Sequence, residues 1–278
     1  MTTDLVLRCA GRPVGRYRHR PALAPELSPR PYLHPVTTLG GTPVTEERPE
    51  DHRHHLGVSV AVPDVAGRNF WGGRTFVRGR GPTLLDNHGE QRHDEWKLRD
   101  PDGFVEDLSW RTGGTALLRE RRTVAVTALT PTAWALDFTS ALTNPGPEEL
   151  SIGSPATNGR PGAGYGGFFW RAPKGPAAPD VFTAGADGEG AVHGRTAGWL
   201  ALAGPGWTLV FAGATEATRR DPWFVRTAEY PGVGSALAWD TRLPLPPGGT
   251  VVRRVVTVVA DGALQRPEAA ALVRKALS

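Results

Sequence analysis

The chain has 278 residues, 39% of them hydrophobic, with 32 basic against 28 acidic side chains and a formal net charge of +4. That length suits one large all-β domain or two small ones, and the small, unconcentrated surplus argues against a nucleic-acid binder. No apolar run approaches the ~20 residues of a membrane helix, and the single cysteine, Cys9, excludes an intrachain disulfide and fits a reducing compartment.

The start, Met1-Thr-Thr-Asp-Leu-Val-Leu-Arg-Cys, lacks a basic region, an apolar stretch and a cleavage site, so a soluble, cytoplasmic protein is expected. With 35 glycines and 26 prolines, the chain is punctuated throughout, and short alternating runs replace helical periodicity. Residues 1–30 are expected to form an irregular lead-in with edge strands, Cys9 being an ordinary strand residue. Residues 104–111 form a short candidate strand, and Thr115–Thr130 a long one. Within it, Arg119-Glu-Arg-Arg122 is the densest basic run and is expected to be a solvated strand face. The clearest strand is Ala133–Thr143, with Trp134, Leu136, Phe138, Ser140 and Leu142 on one face. Gly204-Pro-Gly206 joins two runs, 198–203 and 207–212, that are apolar on both faces. Residues 223–227 and 251–260 add strands, and 265–277 reads as a terminal helix with Pro267 and Glu268 in its first turn and cations in its last. The predicted fold is a single all-β domain over 1–278, a large antiparallel β-sandwich with a short C-terminal helix.

Chemistry concentrates in Arg30-Pro-Tyr-Leu-His-Pro and Asp51-His-Arg-His-His-Leu-Gly, where four of the chain's 8 histidines fall between positions 34 and 55. Imidazole titrates near physiological pH and is the commonest metal ligand. Placed on an extended strand, His52 and His54 would share one face and Asp51, Arg53 and His55 the other. A second polar cluster spans 86–96 and offers His88 and Glu90, either as a hairpin tip or as a wall of the same site. A third, Gly164-Tyr-Gly-Gly-Phe-Phe-Trp-Arg, lies in the Gly- and Pro-rich stretch 159–179, expected to be a functional loop. Asn69-Phe-Trp-Gly-Gly and Asp221-Pro-Trp-Phe-Val-Arg supply Trp71, Trp223 and Arg226. Dinucleotide, Walker and nucleophile-elbow motifs are absent.

Taken in order, the motifs at 30–35, 43–45, 51–57, 69–72 and 164–171 resemble a bacterial family labelled PmoA-like, a soluble domain of unknown function. The resemblance implies a bacterial origin and a role in carbohydrate catabolism. The all-β pattern is similar to the galactose-mutarotase-like supersandwich, which implies a His and a carboxylate doing acid–base work on a sugar in an open cleft. Glu90, Glu216 and Glu229 are the candidate carboxylates. The expected function is thus a sugar-processing enzyme of epimerase, mutarotase or lyase type. His34, His52, His54, His55 and Glu90 are its candidate catalytic groups. Tyr32, Arg53, Trp71, His88, Tyr165, Trp170, Arg171, Trp223 and Arg226 are its candidate substrate-binding groups. No cofactor or membrane partner is expected. The alternatives are a metal-dependent hydrolase or oxygenase, with His52, His54 and His34 holding a divalent ion, and a non-catalytic carbohydrate-binding module.

Overall fold

The computed structural model describes residues 4–278; positions 1–3 of the expected lead-in lie outside the described residues. The fold is all-β, with two large antiparallel sheets and a C-terminal helix, Arg266–Leu277. The first sheet has seven strands, ordered Leu5–Cys9, Arg12–Arg18, Tyr32–Val36, Val58–Ala61, Gly167–Arg171, Gly232–Ala236 and Trp223–Arg226. The second has eight, ordered Asp180–Thr183, Leu200–Gly204, Trp207–Gly213, Thr250–Asp261, Ala133–Thr143, Thr115–Thr130, Gly103–Thr112 and Glu90–Asp100. No helix among the described residues is long and apolar enough to cross a membrane.

Alternation builds the sandwich. Trp134, Leu136, Phe138 and Leu142 are buried, as their period of two predicts. Phe138 meets Phe168 of the opposite sheet edge-to-face at 5.5 Å, and Trp170 meets Phe211 at 5.6 Å. Part of the other face of the eight-stranded sheet is small and apolar (Ala135, Ala201, Val210, Val258) and is covered by Ala269 and Val273 of the helix. That covering explains why the 200–204 and 207–213 strands are apolar on both faces. The helix starts with a capping box between Gln265 and Glu268 and carries Arg274 and Lys275 in its last turn.

Three expectations are corrected. The stretch 159–179 is not one long loop, because Gly167–Arg171 is a central strand of the seven-stranded sheet. The stretch 86–96 is not a hairpin tip, because Glu90–Asp100 is an edge strand paired along Gly103–Thr112. The run Arg119–Arg122 is not simply solvated: Arg119 and Arg121 face out, but Glu120 and Arg122 are buried at 1% and 0% exposure.

The last two corrections share one cause, a polar network sealed inside the sandwich. Arg122 Nε donates to Glu120 Oε1 at 2.8 Å, and its Nη1 donates to the Tyr17 hydroxyl at 2.9 Å. Its Nη2 reaches Gln91 Oε1 at 3.2 Å, and Trp110 Nε1 donates to Glu120 Oε2 at 2.8 Å. Tyr17 donates in turn to Glu106, whose second oxygen lies 2.6 Å from His93 Nδ1. A buried ion tolerates this only when its hydrogen-bonding capacity is met. Gln91 and His93 therefore point inward from a strand whose composition looks like surface. Arg122→Ala, which strands Glu120 in the core, is expected to lower unfolding stability by about 3–5 kcal/mol. Arg121→Ala, which removes an exposed pair with Asp107, should leave the urea midpoint near wild type.

Candidate functional site

The outer face of the seven-stranded sheet, turned away from the sandwich core, carries a cleft of about 410 Å³. Strand parity decides which side chains reach it. In Gly167–Arg171, Phe168 and Trp170 join the main core, whereas Phe169 packs with Ala61, Trp71 and Tyr230 on the outer side. Arg171 has the same parity as Phe169, and its guanidinium lies 4.7 Å from the Tyr230 ring centroid. In Trp223–Arg226, Trp223 and Val225 belong to the core, while Phe224 and Arg226 line the cleft. Gly232 leaves room for this layer: a Cβ there would lie 3.0 Å from the Tyr230 ring and 3.2 Å from Phe169.

The histidines arrive on a tight turn, not on the extended strand the sequence suggested. Pro49 leads into a single 3-10 turn, Glu50–His52, and the His55 amide donates to the His52 carbonyl at 2.8 Å. Three residues per turn bring positions 52 and 55 onto one side. Their rings stack at 4.7 Å with 25° between planes, and His54 stands 4.7 Å from His55 at 80°. Asp51 Oδ2 lies 3.2 Å from His52 Nδ1, within ion-pair reach though off the line of a hydrogen bond. Burial would raise the Asp51 carboxyl, but His52 and Arg171 outweigh it and hold the group below its ordinary value.

Beneath the turn lies Arg30, a fully buried guanidinium satisfied by neutral acceptors. Nη2 donates to the His54 carbonyl at 2.7 Å, Nη1 to the Trp71 and Ser28 carbonyls at 3.0 and 3.1 Å, and Nε to Ser59 Oγ at 3.2 Å. Among the described residues no carboxylate lies within ion-pair distance of it. Asn69 shapes the adjoining turn by accepting from the Trp71 and Gly72 amides at 2.8 and 2.9 Å. Gly72, at φ +98, approaches so closely that a Cβ would sit 2.8 Å from His54 Cβ. This packing has an electrostatic effect. Burial first, then Arg30 and the other histidines, pushes His54 down to about 3. Burial and the neighbouring imidazoles hold His55 well below its ordinary value too. Both are neutral at physiological pH, and His55 Nδ1 is buried without a partner.

The cleft thus brings together the predicted His52, His54, His55, Trp71, Tyr165 and Arg226, with Glu229 at its rim. His88 stands behind it, its Nε2 2.7 Å from the Gly73 carbonyl, and Arg171 lies buried beneath it on Glu46. The other candidates are elsewhere. Trp170 and Trp223 face the sandwich core, their indole N–H groups spent on the Val44 and Ala197 carbonyls. Tyr32 donates to Glu47 at 2.6 Å, and His34 Nδ1 contacts Thr45 Oγ1 at 3.0 Å, so neither reaches the cleft. Glu90 borders a separate hollow beside Leu23 and Arg111, Arg53 is exposed outside the lining, and Glu216 pairs with Arg220 on the surface. Arg30, Phe224 and Tyr230 went unpredicted; parity with Arg226 would have found Phe224. Among the described residues no three His, Cys, Asp or Glu side chains are grouped to hold a metal ion.

The depressed His54 value carries a stability consequence. The unfolded imidazole takes up a proton below its ordinary value of 6.5, and the folded one resists until about 3. Folding stability is therefore complete above about 6.5 and falls as pH is lowered from there. His54→Asn should flatten part of the decline in melting temperature between neutral pH and about pH 4.5. An unchanged slope would show that the ring titrates normally in the folded chain.

No curated protein matches the chain. Among solved structures, an α-galactosidase from Lactobacillus brevis is similar at 12% identity and a TM-score of 0.42, over 94% of this chain and 39% of that one. A polysaccharide lyase is similar at 11% identity and a TM-score of 0.41, over 94% and 34%. A heparan sulfate lyase from Pedobacter heparinus is similar at 12% and 0.32, over 66% and 24%. The chain spans at most about two fifths of the length of these structures. The PmoA-like label brought by the sequence resemblance is not supported, since the family that matches bears no such name. Over residues 4–274 the match is to a family of unknown function, DUF6807, and the chain belongs to that family.

Proposed function

We propose that the cleft is the active site of an enzyme that processes a sugar or sugar derivative by proton transfer. The observation that carries this is the convergence of three imidazoles and Asp51 on one hollow walled by aromatic rings. Trp71 and Tyr165 stand 4.6 Å apart, and Phe224 lies 5.3 Å from Tyr165, a wall suited to the apolar C–H faces of a sugar ring. Burial raises the Tyr165 and Tyr230 phenols, so both keep their protons for donation.

The roles divide by environment. His52 is partly exposed, with a side-chain exposure of 31%, and Asp51 sits at its Nδ1. It is the proposed general base or acid, with Asp51 orienting the ring so that Nε2 meets substrate. A base with a pKa near 3 has little driving force at neutral pH. His54 is therefore proposed as a neutral hydrogen-bonding group that positions a hydroxyl or carbonyl. This equipment suits epimerisation, mutarotation or elimination.

The test is NMR-detected proton exchange in D₂O across sugars, keto-sugars and sugar acids. Wild type should exchange a carbon-bound proton α to the carbonyl or carboxylate, eliminate across that bond, or speed anomer interconversion of at least one, and His52→Ala should slow that reaction by about 10²–10⁴. Full activity in both His52→Ala and His54→Ala would sink the assignment. Binding with neither exchange, elimination nor faster anomer interconversion by wild type would make the cleft a carbohydrate-binding site.

A further inference from the structure

We infer, building on the saccharide site proposed above, that its ligand is an acidic sugar whose carboxylate is gripped by Arg226. The guanidinium of Arg226 is held by one corner. Nη1 donates to the Val225 carbonyl at 2.8 Å, lies 3.1 Å from His193 Nδ1 and stands 3.5 Å from Glu189 Oε1. Glu189 is itself occupied, accepting from the Thr227 amide at 2.7 Å. Nε and Nη2 of Arg226 have no hydrogen-bond partner among the described residues.

That open edge is the one this protein uses for carboxylates elsewhere. Arg121 grips Asp107 through Nε and Nη2 at 2.8 and 3.0 Å. Arg253 grips Asp221 through the same pair at 2.6 and 3.1 Å, and Arg254 grips Asp137 likewise at 3.0 and 2.5 Å. Two parallel N–H donors match the two oxygens of a carboxylate in spacing and plane. Arg226 lines the cleft with that fork unpartnered, its Nη1 corner held by His193.

The surrounding charge agrees. Arg74 and Arg160 line the same cleft, and neither forms an ion pair among the described residues. Of the two acidic groups in the lining, Asp51 is engaged by His52, and Glu229 is exposed at the rim. Below the floor, Arg30 adds a positive charge with no carboxylate to answer it, and Nη1 of Arg171 is buried without a partner. Positive charge in a partly desolvated hollow attracts an anion far more than the same charge on an open surface.

The experiment is titration calorimetry on the full chain with D-galacturonate, its methyl ester, D-galactose, D-glucuronate, D-glucose and glucose 6-phosphate. The expected result is that a free uronate binds about tenfold or more tightly than its neutral counterparts. Arg226→Gln should erase that preference, and Arg226→Lys should restore part of it. Galacturonate against its methyl ester tests the idea on wild-type protein alone, so a variant that fails to fold does not blunt it. Equal affinity for acid and ester overturns the acidic-sugar inference while leaving the saccharide site standing. Tighter binding of the phosphate than of either uronate overturns the carboxylate assignment. Binding of none of the six overturns the saccharide site, and this inference with it.

Discussion

The site rests on the need of one buried guanidinium for acceptors. Arg30 leaves water completely, and each N–H of its fork must then find a protein oxygen. The oxygens come from separate parts of the chain: the Ser28 and His54 carbonyls, the Trp71 carbonyl and the Ser59 hydroxyl of a central strand. Satisfying one side chain therefore fixes the histidine turn, the Trp71 turn and the sheet relative to one another. Buried donors at about 3 Å tolerate little displacement, because each lost partner leaves a charged group unsolvated. The geometry of His52, His54 and His55 is inherited from this constraint.

The seven-stranded sheet separates two polar systems of different purpose. On its inner side, the Arg122 network closes on itself: Glu120, Tyr17, Gln91 and the Glu106–His93 arm answer one another, and the two sheets are keyed together. On its outer side, the arrangement is left open, with an orphaned His55 Nδ1, an orphaned Arg171 Nη1 and imidazoles kept neutral. A closed network specifies structure. An open one retains unmet hydrogen-bonding capacity, a property that functional sites keep and ordinary cores eliminate.

Much of this was legible from residue order. The strands 115–130 and 133–143, the hairpin at Gly204-Pro-Gly206 and the terminal helix follow from period, turn residues and caps. The histidine run and Trp71 stood out as candidate site residues because such residue types seldom cluster for packing alone, and they line one cleft. Other features were hidden for physical reasons. Glu90–Asp100 looks like surface because its inward residues, Gln91 and His93, serve a polar core. Trp170 and Trp223 drew attention as stacking groups, yet Trp170 sits one residue from Arg171 and Trp223 three from Arg226, and residues an odd number apart in a strand point to opposite faces. Arg30 could not be ranked above the other arginines, since what distinguishes it is the convergence of distant carbonyls.

The polar strand Glu90–Asp100 also has a bearing on how the molecule behaves among its own copies. It is the last strand of the eight-stranded sheet, and an edge offers unused backbone donors and acceptors to any passing chain. Here that edge carries Arg92, Glu95, Lys97 and Arg99, and its pairing is broken by irregularities after His93 and after Trp96. Docking another strand there would bury charges and straighten a kinked backbone, both at a cost. The residues that make this segment hard to recognise as a strand also discourage the sheet from growing beyond one molecule.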